Sequence, residues 1–230
     1  MKITIKRFDP TADAAPYDVD YEVPHHDKMT ALEAIMYIYE NEAPIAFDYA
    51  CHARTCGRCA MMIDGRAEFA CICAIDDGDH TIEPLANYPV IHDLIVDKTA
   101  DRTLTSQLYE RVRFEELDID QLNTFDMSVT EQLFELEWCT RCGCCTSVCP
   151  ARTENNDYVG PMAMLGTAYR FYDPFDQADR PLEAVKNNLW SCIMCGKCTE
   201  VCNSNEIDHL KYWQELRDAA ETAGYRPRKV

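Results

Sequence analysis

The stretch 192-CIMCGKCTEVC-202 packs four cysteines into eleven residues at the spacing C-x2-C-x2-C-x3-C. A twin lies upstream in 139-CTRCGCCTSVC-149, closed by Pro150. This is the bacterial-type [4Fe–4S] ligand run, and where two such runs occur the fourth cysteine of each serves the other cluster. The pair therefore predicts one cubane on Cys139, Cys142, Cys145 and Cys202, and another on Cys149, Cys192, Cys195 and Cys198. Cys144 falls out of phase and reads as a packed thiol beside the cluster.

A different pattern precedes them: 51-CHARTCGRC-59 followed by Cys71. C-x4-C-x2-C with a distant fourth cysteine is the plant-type [2Fe–2S] spacing, so Cys51, Cys56, Cys59 and Cys71 form the third predicted set. Such a loop wraps an anionic cluster with thiolates and backbone N–H groups, and Gly57 suits a close backbone approach. Arg54 and Arg58 are candidates to offset the cluster's charge; as ordinary surface arginines they would do nothing of the kind. Cys73 is read as a small packed residue, and His52 as a non-ligand. Twelve ligands in three sets, with Cys73 and Cys144 left over, account for all 14 cysteines.

The competing reading of these cysteines is a zinc-stabilised interaction module. Structural zinc usually takes two separated ligand pairs, whereas these runs crowd four cysteines together. A catalytic thiol is disfavoured because ligation absorbs every run.

Composition bounds the rest. With 40 acidic and 22 basic residues the formal charge is -18, which disfavours a nucleic-acid partner. Hydrophobic residues make up 47%, enough for real cores. MKITIKRF reads as the start of a strand, not as a signal peptide, and no apolar run approaches the roughly 18 residues of a membrane span. Cysteines in this setting point to thiolate metal ligation in a reducing compartment.

The periodicity predicts an α+β chain of two domains. In residues 1–105, MKITIKRFD and YDVDYEVP read as an antiparallel pair. TALEAIMYIYEN, residues 30–41, reads as a helix capped by Thr30 with Glu33 three residues on. MMIDGRAEF reads as a hairpin turning at Asp64-Gly65. Together these suggest a β-grasp, plant-type ferredoxin domain. Residues 106–230 read as an all-α, bacterial-type two-cluster ferredoxin domain with helical insertions. Its predicted helices are LTSQLYERVRFEELDIDQL (104–122, beginning at the boundary), VTEQLFELEW, MAMLGTAYRFY, LEAVKNNLW and IDHLKYWQELRDAAETAG. The final YRPRKV reads as a frayed tail.

The order of plant-type loop and two bacterial-type runs resembles the iron–sulfur subunit of the succinate dehydrogenase/fumarate reductase family. Other stretches share the likeness: 56-CGRCAMMIDGRAEFAC-71, 83-EPLANYPVIHDLIVD-97 and 158-YVGPMAMLGTAYRF-171. The resemblance implies a heteromeric oxidoreductase on the cytoplasmic face of the cytoplasmic membrane, where this chain is the peripheral, non-catalytic subunit. A flavoprotein partner with FAD would interconvert succinate and fumarate. The iron–sulfur chain would relay electrons to or from quinone at a membrane anchor, with or without haem. Most relatives lack a cysteine at the position of Cys195 and carry a [3Fe–4S] third cluster. Cys195 here implies [4Fe–4S], a lower potential, and a menaquinol-driven, fumarate-reducing direction. The tryptophan and histidine that relatives place near quinone are replaced by the ARTEN stretch with Glu154, and by Ile193. That departure implies either a site within the anchor or a heterodisulfide-reductase-like partner; a flavoprotein acting on another unsaturated acid is a further alternative. Asn203 replaces the proline expected after the second run and reads as a minor change.

Overall fold

The computed structural model describes residues 1–116, 120, 126–155, 157–204 and 207–225. It contains two compact units: Met1–Lys98 with Thr140–Val148 and Val201–Ser204, and Thr99–Cys139 with Cys149–Glu200 and Asn205–Val230.

In the first unit, β1 (Lys2–Arg7) pairs antiparallel with β2 (Tyr17–Glu22), matching Ile3 with Tyr21 and Ile5 with Val19. Alternation sends Ile3 and Ile5 inward, both fully buried, while Lys2, Thr4 and Lys6, which alternate with them, are only half-buried. β3 (Ala60–Ile63) and β4 (Arg66–Phe69) form the predicted hairpin, with Asp64 and Gly65 both at positive φ, as a two-residue turn of this hand needs. β5 (His80–Glu83) joins the two pairs, parallel to β1 and antiparallel to β3. The five-stranded sheet runs β2-β1-β5-β3-β4, and a separate small pair forms from β6 (Val90–His92) and β7 (Ile95–Val96).

Helix α1 (Ala31–Asn41) starts as its sequence dictates. The Thr30 hydroxyl accepts from Glu33 N–H and the Glu33 carboxylate accepts from Thr30 N–H, a complete capping box. Its buried face, Leu32, Ile35 and Ile38, joins Ile3, Ile5, Phe69 and Ile82 in one core.

Buried Asp93 ties this core to the loop that leads into Cys51. Its carboxylate accepts from Arg7 Nε at 2.8 Å, Phe8 N–H at 3.1 Å and Ala46 N–H at 2.9 Å, and Arg7 also donates to the Pro44 carbonyl at 2.7 Å. Burial alone would raise the Asp93 carboxyl, but Arg7 and the two amides hold it below its ordinary value.

The second unit is helical: α2 (Thr99–Leu108), α3 (Thr130–Glu137), α5 (Pro150–Glu154), α6 (Pro161–Phe171), α7 (Arg180–Lys186), α8 (Lys197–Glu200) and α9 (His209–Thr222) among the described residues. Short α4 (Cys144–Ser147) belongs to the first unit. α6 is the axis of the helical unit: Pro161 to Ala168 are all buried, and α2, α3, α7 and α9 pack on it.

One predicted helix is corrected. LTSQLYERVRFEELDIDQL is not one continuous helix: it breaks after Leu108, residues 109–116 are not helical, and Asp120 is helical again. Amides in the break are taken by tertiary partners: Val112 N–H donates to Asp176, and Phe114 N–H to the Gln177 side chain. Buried Arg180 holds this turn, donating to Asp176, Glu183 and the Glu110 carbonyl. Residues 117–119, 121 and 122 of that stretch, and 226–230 of the tail, lie outside the described residues.

Acid sensitivity of this unit has a defined source. His209 is 1% exposed, and its Nδ1 donates to the Ile207 carbonyl at 2.9 Å. Burial pushes its pKa down to about 4. The unfolded chain therefore binds a proton near pH 6.5 that the folded one refuses until about pH 4. Stability is full above pH 6.5 and falls as pH drops toward 4, by up to about 3 kcal/mol. Urea unfolding midpoints measured from pH 7.5 to 5 should fall in the unsubstituted protein and flatten in His209→Leu.

Candidate cluster-binding sites

The first loop is shaped by left-handed residues. His52, Arg54 and Gly57 have φ of 52°, 64° and 63°. A non-glycine residue in this region costs about 1–2 kcal/mol, and such conformations turn successive amides toward one point, the nest geometry that holds anions and iron–sulfur clusters. Ala53 N–H donates to Cys51 Sγ at 3.3 Å in this way. Gly57 is also a point of close approach: a Cβ there would sit 2.7 Å from Cys142 Cβ and 2.7 Å from Thr140 Oγ1.

The thiols of this region converge. Cys51 interacts with Thr55 and Cys56, and Cys59 with Cys71 and Cys56. Burial pushes the Cys59 thiol up to about 12, and its thiol neighbours add to that. Cys73, half-buried, instead senses Glu68, Asp64 and Arg66. His52 is exposed and stacks edge-on against Tyr49, with ring centroids 5.0 Å apart. Arg58 pairs with Asp48 at 3.0 Å.

Arg54 and Asn203 have a role that the sequence did not signal. Arg54 Nε donates to the Asn203 carbonyl, and the Asn203 amide donates to Ala67 and Val201 carbonyls, each at 3.2 Å. The residue after Cys202 is thereby stitched to the first loop and to β4. Its side chain makes bonds that a proline could not.

The two bacterial-type runs share one backbone form. Arg141 and Gly143 have φ of 55° and 92°; their counterparts Met194 and Gly196 have 55° and 80°. Each glycine carbonyl then receives the amide that opens a helical turn: Ser147 onto Gly143, and Thr199 and Glu200 onto Gly196. Identical C-x-x-C-G-x-C text therefore yields the same concave loop twice. Cys142, Cys145 and Cys202 lie in the first unit and Cys139 in the second. Cys144 is 1% exposed, its thiol against Cys142.

Cys149, Cys192, Cys195 and Cys198 all belong to the second unit and line one cavity, partly open to solvent, of about 320 Å³ with its open mouth counted. Its remaining wall is mostly apolar and includes Pro150, Pro161, Leu210 and Trp213. Burial pushes the Cys198 thiol up to about 12, reinforced by Cys192, Cys149 and Cys195. Burial raises Cys149 too, offset in part by the amides of Arg152 and Ala151 at the start of α5. Burial so disfavours the Cys149 and Cys198 thiolates that a cation beside them is what ionises both, which is the chemistry of a cluster's iron. The residues present thus fit an iron–sulfur cluster. Cys195 is the exposed corner of this set; Ile193, 66% exposed, follows Cys192 at the rim.

This fold and these loops define an iron–sulfur protein with a plant-type and a bacterial-type half. Residues 2–103 match the family described as "2Fe-2S iron-sulfur cluster binding domain", and residues 135–205 the one described as "4Fe-4S dicluster domain". The fumarate reductase iron-sulfur subunit of Escherichia coli O157:H7 is 30% identical over 210 residues, spanning 88% of this chain and 86% of that protein. The chain belongs to the family of fumarate reductase and succinate dehydrogenase iron–sulfur subunits, and its cofactors are [2Fe–2S] and [4Fe–4S] clusters. A subunit of the "Fumarate reductase (CoM/CoB)" of Methanothermobacter marburgensis is 35% identical over 205 residues, 88% of this chain but 40% of that protein. The chain thus spans less than half the length of that relative. A chain from the Mycobacterium smegmatis Sdh1 complex shares the fold, with a TM-score of 0.84 at 23% identity over 99% of this chain and 98% of that one.

Proposed function

We propose that this chain is the electron-transfer subunit of a succinate dehydrogenase/fumarate reductase complex, moving electrons between the FAD of a flavoprotein subunit and a quinone at a membrane anchor. The single observation that carries the reading is the cavity where four cysteines from two distant stretches meet, in a chain whose family is that of such subunits. The ligands are the twelve cysteines that spacing assigns: Cys51, Cys56, Cys59 and Cys71 for [2Fe–2S]; Cys139, Cys142, Cys145 and Cys202 for one [4Fe–4S]; Cys149, Cys192, Cys195 and Cys198 for the other. The clusters supply one-electron storage and transfer. The chain's own part is to bend the ligand loops, bury the thiolates and keep the sites compact. The third cluster takes a fourth iron because Cys195 stands in the same cavity as its three companions.

No helix of the described residues is long and apolar enough to cross a membrane. Peripheral binding at the cytoplasmic face, through an anchor subunit, is the location that suits this reading. A second reading draws on the methanogen relative named for CoM/CoB: the electron partner is a thiol couple on a heterodisulfide-reductase-like module instead of a quinone. The absence from this chain of the tryptophan and histidine expected near quinone favours that possibility over a second quinone contact.

The test is metal and sulfide analysis with spin resonance of the purified holoprotein. About ten irons per chain, a binuclear signal on reduction and no trinuclear signal on oxidation are expected. A colourless zinc protein would overturn the reading in favour of an interaction module. A trinuclear signal in freshly isolated, anaerobic protein would remove Cys195 from the ligand set. Reduction of the clusters by menaquinol or by a dithiol donor separates the two electron partners.

A further inference from the structure

Trp213 has an indole N–H with nothing to receive it. The side chain is fully buried on α9, and its Nε1 has no hydrogen-bond partner among the described residues. Buried indoles ordinarily find an acceptor. The ring is held edge-on by His209, with centroids 5.7 Å apart, so it is a fixed group. It lines the cavity that also holds Cys149, Cys192, Cys195 and Cys198. Pro150, Pro161 and Leu210 of the same wall are apolar and offer no side-chain acceptor, and the Tyr158 hydroxyl, also at the wall, does not accept from the indole.

We propose that Trp213 is a positioning residue for the third cluster: its indole N–H donates a hydrogen bond to a sulfur of the cluster bound there, and so raises that cluster's reduction potential. This rests on the ligand set proposed above. The physical reason is charge. A cluster gains one negative charge on reduction while the indole keeps its proton, and a hydrogen bond to a more negative acceptor is stronger. The donor therefore favours the reduced form, and hydrogen bonds to sulfur are among the factors that set cluster potentials.

Trp190 provides the internal control. Its Nε1 is also buried and unpartnered, but the ring is not among the cavity's lining residues and lies under the Arg217 guanidinium at 5.3 Å. In spin-resonance redox titrations of full-chain holoprotein, Trp213→Phe should lower the reduced-to-oxidised ratio of the third cluster about tenfold at fixed potential, equivalent to about 59 mV for one electron. The other two clusters should not move, and Trp190→Phe should leave all three in place. Protein labelled with indole-15N tryptophan should show a nitrogen coupling to the third cluster that Trp213→Phe removes and Trp190→Phe keeps. Unchanged potentials in a loaded Trp213→Phe protein would overturn the inference. If that variant fails to load its third cluster, the labelled, unsubstituted protein decides: no 15N coupling there overturns the inference equally. Absence of any third-cluster signal in the unsubstituted holoprotein would instead defeat the ligand assignment on which it stands.

Discussion

Cys71→Ala should abolish the binuclear signal outright, while Cys73→Ala should leave it intact. The two cysteines are separated by one residue, and in an extended stretch they would face the same way. The chain is not extended there. Ile72 and Cys73 both return their amides to the Phe69 carbonyl, so the segment after β4 coils into a turn. That turn sets Cys71 beside Cys59 and leaves Cys73 among Asp64, Arg66 and Glu68 of the hairpin. On the proposed assignment, removing Cys71 takes one of four ligands from an anionic cluster. Iron per chain should fall by about two, and electron transfer through the assembled complex should fall by orders of magnitude. Removing Cys73 deletes one half-buried thiol at a cost of about 1 kcal/mol. Iron analysis, spin resonance of the dithionite-reduced protein and urea unfolding measure all three. A binuclear signal that survives in Cys71→Ala and vanishes in Cys73→Ala would reverse the assignment.

The second large effect is structural. Gly57→Ala should prevent the first unit from holding its clusters. Its φ of +63° is costly for any residue with a Cβ, and that Cβ would lie 2.7 Å from both Cys142 Cβ and Thr140 Oγ1. Neither neighbour is the free end of a flexible chain, because both sit in the loop that opens the second cysteine run. The conformational cost is about 1–2 kcal/mol, and forcing two packed segments apart adds about 1–3 kcal/mol. The sum, roughly 2–5 kcal/mol, is a large fraction of the 5–15 kcal/mol that stabilises an ordinary domain. Holoprotein yield should collapse, with loss of visible absorption from the binuclear cluster and from the cubane that uses Cys142. Gly65→Ala separates the two contributions. That glycine has φ of +77°, and a Cβ added to it would meet nothing within 4 Å, so the substitution should cost only the conformational part and keep both clusters.

Much of the chemistry was legible in the text because it is local. A cubane needs thiolates that a short loop can bend onto one point, so C-x2-C-x2-C spacing and the glycine after the second cysteine announce themselves. The same holds for the Thr30–Glu33 cap, the Asp64-Gly65 turn and the alternation of Ile3 and Ile5. Each is a rule about neighbours a few residues apart. Reading failed where partners are distant. The stretch after Leu108 has helical periodicity, yet Asp176 and Gln177, more than sixty positions on, claim its amides. Asn203 looked like an incidental replacement until the Arg54 bond, 149 residues back in the chain, gave it work.

The amino-acid sequence alone therefore determined which cofactors this protein carries and which cysteines are phased to hold them, because ligand spacing is written in consecutive residues. Tertiary structure sets Cys71 beside Cys59, as the spacing predicts, and alone decided that segments 140–148 and 201–204 pack with the first unit and that Trp213 lines the cavity of Cys149, Cys192, Cys195 and Cys198. The reason is physical: packing and hydrogen bonding match groups brought together by the folded chain, and no local pattern records which distant group will arrive.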